Sequence, residues 1–432
     1  MPFARNPKFW RLCGYAVVIG LFAGTAAWVF TKIVAEGTKV LWPDELDYDF
    51  LEGEIWWVGV IAGAGLVVGL LRRLTKVPED VDATFPQIER RMVDYKTAPQ
   101  TVLVSAISLI GGASLGPFDA GVRQGGAFAE WLSKKRKLPE DMREVNTLSG
   151  VTGGVGALLT APFIALLFVM EIARPKSGRY YFVLIPNLIA ATFGFFVFFA
   201  IAGVGFLELF KVPGFEPEIW HFAAAIPLGV VAAGLAITLG ITMRALKTLL
   251  APLEKQIVLR ATLGGAVLGL VAFFVPLTLA SGKEQVVQAI AEFRALGIAL
   301  LVVAVFAKIF TMALSITTGF IGGAVMPTLF IGGTAGLAAH LIVPGLPLGL
   351  TFSTLLVAVP GATVKAPFAM ILLAAFTIGI GPIQTAPAGV AVITAYLLTS
   401  GLGMFGTPKR TPVDPDDDLQ ADYRKDQTRR AT

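Results

Sequence analysis

A chain of 432 residues that is 55% hydrophobic and only 15% charged, with a mean hydropathy of +0.73, is far from soluble composition, where roughly a quarter of residues are charged. It reads as one polytopic membrane domain in a lipid bilayer, and its net charge of +5 belongs to loops and tail rather than implying nucleic acid. The lone Cys13 excludes internal disulfides and thiolate metal sites. The two histidines, His221 and His340, are too far apart in sequence to suggest a metal centre, so no cofactor is expected.

In chain order, the arm 1–11 carries Arg5, Lys8 and Arg11, and the apolar stretch 12–35 is too long and continuous for a cleaved signal. PDELDYDFLEGE, 43–54, holds six acids and no base, and a second span from about Trp56 closes on RRLTK. Basic residues favour the cytoplasmic side, which predicts the N-terminus inside, 43–54 outside and 72–96 inside again. DATFPQIERRMV, 82–93, predicts a short re-entrant or cytoplasmic helix with a proline in its first turn. From Thr101 to Gly112 an apolar run leads into GGASLGPFDAGVRQGG, 111–126, and the helix after it ends in KKRK, 134–137. The stretch 146–175 reads as a glycine-rich helix, a break at Ala161-Pro162 and a second helix carrying Glu171 and Arg174. Further apolar segments are expected at about 180–210, 219–250, 258–281 and 296–318. A second broken stretch, GFIGGAVMPTLFIGGTAG, 319–336, precedes the last apolar runs, and the charged residues 408–432 predict a disordered cytoplasmic tail without a regulatory domain.

The rest is organised around 111–126. Glycines, a proline, an aspartate and an arginine do not suit an ordinary spanning helix. A helix broken within a membrane frees backbone groups that lipid cannot satisfy, so the break must be lined by protein or a wet cavity. A helix N-terminus exposed there is an anion site that needs no charged side chain. The punctuation also repeats. Pro117 and Pro327 lie 210 positions apart, each preceded by GGA, and the APF at 161–163 recurs at 366–368, an offset of 205. Breaks at matching places are the signature of an internally duplicated transporter.

GGASLG with the GG at 125 and 126, GVTGGVGALLTAPFIALLFVMEIARP, GGAVMP and VKAPFAMILLAAF together resemble the CLC family of chloride channels and chloride/proton antiporters, over about residues 10–405. The resemblance implies an all-α polytopic membrane protein with broken and re-entrant helices in two inverted-topology halves, about 12–210 and 219–407 within a domain spanning 12–407. It also implies a homodimer whose subunits each hold anion sites at helix N-termini. The compact chain suggests a bacterial inner (plasma) membrane, with both termini cytoplasmic.

The family's signature side chains are replaced. Its GSGIP serine falls on Ala83, its gating glutamate on Phe118 with Asp119 one residue later, its GxFxP phenylalanine on Val325, its tyrosine on Pro382, and the inner proton-relaying glutamate on Ile172. An anion would then be held chiefly by amides around Gly323, Ala324, Val325, Phe118 and Asp119. Asp119 either replaces the gate or is a first-turn acid paired with Arg123 at i,i+4, and the one-residue shift turns it roughly 100° around the helix. Phe118 is the better gate candidate, and Arg123 brings positive potential to a vestibule. Glu171 is expected to pair with Arg174, while Lys308 and Lys365 either line the anion route or snorkel. With both proton-relaying glutamates absent, passive anion transport is expected, with chloride as the default, bicarbonate or nitrate open, and fluoride disfavoured. No catalytic constellation is visible, so the chain is not expected to be an enzyme. An ion-coupled secondary transporter using Asp119 or Glu171 and a nonconducting scaffold are the competing readings.

Overall fold

In hydrocarbon a backbone must close its own hydrogen bonds, which is why these apolar runs are helical. The computed structural model describes residues 6–42, 53–75, 77, 84–175, 180–203, 205, 207–364 and 366–402. Among the described residues there are fifteen α-helices and no strand. The first half comprises α1 (Pro7–Leu41), α2 (Trp56–Thr75), α3 (Thr84–Arg90), α4 (Ala98–Ile110), α5 (Phe118–Lys135), α6 (Glu140–Leu159), α7 (Pro162–Ala173) and α8 (Tyr180–Ala202). The second comprises α9 (Ile219–Leu249), α10 (Ile257–Phe274), α11 (Lys283–Thr318), α12 (Val325–Ile342), α13 (Leu348–Val364), α14 (Pro367–Ile378) and α15 (Pro382–Thr399). Eight of these helices are long and apolar enough to cross a membrane, and α4, α7, α13 and α14 are shorter apolar pieces. The protein is an integral membrane protein.

The halves pack alike. α1 lies on α6 and α8 as α9 lies on α13 and α15, α5 on α6 as α12 on α13, and α4 meets α5 as α11 meets α12. Among the described residues the extensive helix contacts between the halves are α2 with α10 and α7 with α14. The one bridge joining the two broken stretches, Gly116 with Gly323, is antiparallel. Equivalent segments therefore run in opposite directions at the junction, as halves of inverted topology require.

The repeat register differs from the one the prolines suggest. Gly112 and Gly319 end the helices entering the breaks at φ 84° and φ 103°, a left-handed conformation that glycine adopts without penalty. Gly116 and Gly323 then pair, so equivalent positions lie 207 apart (323 − 116). In this register Pro117 corresponds to Ala324, and the two GGA triplets do not correspond. Backbone geometry sets the repeat, and Pro327 is simply a first-turn residue of α12. The APF offset of 205 is recovered in the starts of α7 and α14, each opened by a proline that needs no N–H partner.

Other boundaries move for local reasons. α11 begins at Lys283 and bends at Gly297, φ 69°, so the apolar segment expected at 296–318 is its second part. α8 stops at Ala202, before Gly203 at φ 77°. Both histidines sit at helix ends: His221 Nδ1 accepts from Glu218 N at 2.9 Å, and His340 Nδ1 lies 2.8 Å from Leu346 O. Ala83, Lys365 and residues 43–52 and 403–432 lie outside the described residues.

Where α5 crosses α6, a Cβ on Gly125 would fall on the carbonyl oxygen of Gly150, and one on Gly150 on that of Gly125. This backbone contact holds the head of α5 at a fixed depth. Gly125→Val is expected to lower stability by about 1–3 kcal/mol through overpacking. Gly59→Val, at a position with open space around it, should leave the unfolding midpoint in detergent unchanged.

Candidate functional site

The two breaks meet. Gly116 N donates to Gly323 O at 2.8 Å, and Gly323 N donates to Gly116 O at 2.6 Å. Around this junction the two halves supply matching hydrogen bonds. Ala113 N donates to Ser108 O at 3.0 Å, as Phe320 N donates to Ser315 O at 3.1 Å. Each serine hydroxyl also donates one turn back, Ser108 to Val104 O and Ser315 to Thr311 O, both at 2.8 Å. Each then accepts from the opposite break: Ser315 Oγ from Ser114 N at 3.2 Å and Ser108 Oγ from Ile321 N at 3.1 Å. A hydroxyl can donate and accept at once, so each serine closes its own helix and the other half's turn.

The turn carbonyls are covered as well. Gly112 O accepts from Ala280 N at 3.2 Å, and Gly319 O accepts from Arg72 Nη1 at 2.9 Å. Lys308 is fully buried, and its ammonium donates to Thr278 O at 2.9 Å and Ala280 O at 2.7 Å. It neither lines an open route nor snorkels; it anchors the 278–280 turn that supports the first break.

Two helix N-termini are set at the junction, because α5 and α12 each begin two residues after a bridged glycine. Their first amides have no intrahelical acceptor by geometry. A Cβ placed on Gly323 would lie 2.7 Å from Phe118 Cβ and 3.1 Å from the amide nitrogens of both Phe118 and Asp119. The missing side chain at 323 therefore allows the second break to approach the head of α5 this closely.

Of the residues singled out from sequence, the structure gathers Phe118, Asp119, Gly323, Ala324 and Val325 and leaves Pro382 exposed at the head of α15. Phe118 is buried, its ring edge-to-face with Phe168 at 5.6 Å, and Phe168 reaches Phe85 of α3 at 6.3 Å. These aromatics link the head of α5 through α7 to α3. Asp119 Oδ2 lies 2.5 Å from Arg123 Nε, with both side chains buried. Arg123 is thus held within α5 by its i,i+4 partner.

Glu171 departs from expectation. Its carboxylate accepts from Phe368 N at 2.9 Å and Ala369 N at 2.8 Å, capping α14 in the other half. Arg174 instead donates through Nε to the Glu171 backbone carbonyl at 3.3 Å. The first-turn amides of α14 are a better partner than a neighbouring guanidinium in a left-handed residue, φ 43°. Sequence reading also missed Glu130, a buried acid held by Arg143 at 2.6 Å, Lys134 at 3.2 Å and Thr147 at 3.1 Å.

Residues 66–400 match the sequence profile described as "voltage gated chloride channel". The chain belongs to that family. CLC-type anion transport is accordingly its activity class. CLC relatives include proteins named putative ion-transport protein YfeO. Those of Shigella flexneri and Escherichia coli (strain K12 / DH10B) are each 25% identical over 411 residues, covering 92% of this chain and 95% of the relative. The fold is similar to that of a slow cyanobacterial Cl−/H+ antiporter, with TM-score 0.78 and 18% identity over 92% of this chain and 95% of that one. It is similar also to a CLC-type fluoride/proton antiporter, with TM-score 0.75 and 17% identity over 92% and 97% of the two chains.

Because Ser108 and Ser315 occupy equivalent places, Ser108→Ala and Ser315→Ala should destabilise alike. Each leaves one buried amide without its acceptor, a loss of about 1–3 kcal/mol, readable as matched shifts in thermal unfolding.

Proposed function

We propose that the chain is a passive transporter, not an enzyme. It passes a small inorganic anion, chloride first among candidates, through the Gly116–Gly323 junction without stoichiometric proton exchange. The observation that carries this reading is the approach of Gly323 to the Phe118 and Asp119 amides. Each helix N-terminus is equivalent to about half a positive charge, so the heads of α5 and α12 together offset about one monovalent anion. Amides around Phe118, Asp119, Ala324 and Val325 form the resting place, and Pro382, exposed at the head of α15, belongs to an approach rather than to this centre. The Phe118 ring, packed on Phe168, is the gate, and its displacement opens the path.

Proton coupling requires carboxylates that can release their partners. Asp119 is paired with Arg123, Glu171 caps α14 and Glu130 has three partners. This favours passive transport over an ion-coupled mechanism using Asp119 or Glu171. The working unit in this proposal is a homodimer in a bacterial inner membrane, each subunit with its own route.

In liposomes containing the purified protein, an imposed chloride gradient should drive chloride efflux with no uphill proton movement. Proton uptake in fixed proportion to chloride would refute passive transport. Efflux from vesicles loaded in turn with chloride, nitrate, bicarbonate and fluoride will rank the anions, with fluoride expected last. Gly323→Ala should suppress efflux, since the added Cβ would lie 2.7 Å from Phe118 Cβ and displace the head of α5 from the junction. Phe118→Ala should raise efflux and lower stability by about 3–5 kcal/mol.

A further inference from the structure

A groove of about 370 Å³ opens between α1, α4 and α5, away from the junction. Its wall is apolar and aromatic: Phe22, Tyr95, Ala98, Val102, Phe128 and Trp131. Phe22 and Phe128 stack at 3.8 Å, while Phe22 and Trp131 stay about 40% exposed. A trough of this size falls within the range of small-ligand sites, roughly 300–1,000 Å³, and one of its walls, α1, is long and apolar enough to cross a membrane.

Charge identifies the occupant. The ammonium of Lys134 sits 4.8 Å from the ring centroid of Tyr95, and that of Lys135 sits 4.8 Å from that of Trp131. Both rings line the groove, so two cations are held over its aromatic rim. Lys134 also meets Glu130 at 3.2 Å. Lys135, Arg136, Lys137 and Lys96 are exposed at the same end, outside the ion pairs formed among the described residues. Two acids on the adjoining turns are engaged, Glu130 by Arg143 and Thr147 and Asp94 by Lys96 N at 3.0 Å and Thr97 Oγ1 at 2.8 Å, and Glu140 and Asp141 follow at the start of α6. A basic cluster of this kind beside a membrane helix attracts anionic headgroups, and lysine stems can lie along the apolar wall with their ammonium groups in the interface.

We propose that this groove binds one anionic phospholipid, with an acyl chain along Phe22, Val102 and Phe128 and its phosphate against the basic cluster led by Lys135 and Arg136. The bound lipid braces α5 against α1 and α4. Because α5 carries the anion-facing amides at its other end, the lipid composition of the membrane bears on the position of the transport site.

The experiment is native mass spectrometry of the full chain purified in micelles with equal amounts of phosphatidylglycerol and phosphatidylcholine. Preferential retention of one phosphatidylglycerol per chain is expected. The Lys135→Gln/Arg136→Gln variant, changed only at exposed positions, should lose retention by roughly fivefold for each charge removed. Val102→Trp, which fills the groove, should displace both lipids. Should Val102→Trp fail to fold, a photo-reactive amino acid at position 102 should label phosphatidylglycerol in preference to phosphatidylcholine. Equal retention of the two lipids, retention unchanged in the charge variant, or cross-linking at 102 to a second copy of the chain would overturn the proposal.

Discussion

Two interrupted helices in a low-dielectric interior have to satisfy each other's backbone. The reciprocal bonds between Gly116 and Gly323 do this, and the serines at 108 and 315 extend it by closing the opposite turn. An amide or carbonyl left unpaired in that setting would cost several kcal/mol. The pairing therefore fixes where α5 and α12 begin, and that in turn places two positive helix ends face to face. The anion site proposed above follows from a solution to a hydrogen-bonding problem.

Ionised side chains near the centre are spent on scaffolding. Arg72 covers Gly319 O, Lys308 holds the turn behind Gly112, Glu171 caps α14, and Asp119 and Arg123 hold each other. These fixed side-chain charges are thus balanced or turned onto backbone. In the proposed site an anion is attracted by the backbone dipole, which needs no titration and no side-chain rearrangement. A site of this kind tolerates the loss of the family's serine, glutamate, phenylalanine and tyrosine signatures far better than a site built from side chains would.

Sequence reading recovered the helical membrane class, both breaks, the APF repeat and the Asp119–Arg123 spacing, because glycine, proline and i,i+4 charge are local signals. It misjudged the repeat register, since prolines catch the eye while the register is set by a left-handed glycine and a bridged one. The informative pattern was present as SLIGG at 108–112 and SITTG at 315–319, serine and glycine at one spacing in both halves. Glu171 was paired with Arg174, whereas its carboxylate meets the amides of Phe368 and Ala369, which lie nearly two hundred positions away and which nothing local announces. Lys308 could not be assigned for the same reason: its acceptors belong to a turn thirty residues earlier.

The distance between the bridged glycines also bears on how the protein is made. At roughly 5–20 residues per second, the ribosome needs roughly 10–40 s to travel from Gly116 to Gly323. Through that interval the first break is in place without its mate, its turn amides facing lipid, water or the insertion machinery. The nascent N-terminal half thus has to be sheltered during biogenesis, and co-translational folding can close the centre only after most of the chain has entered the membrane.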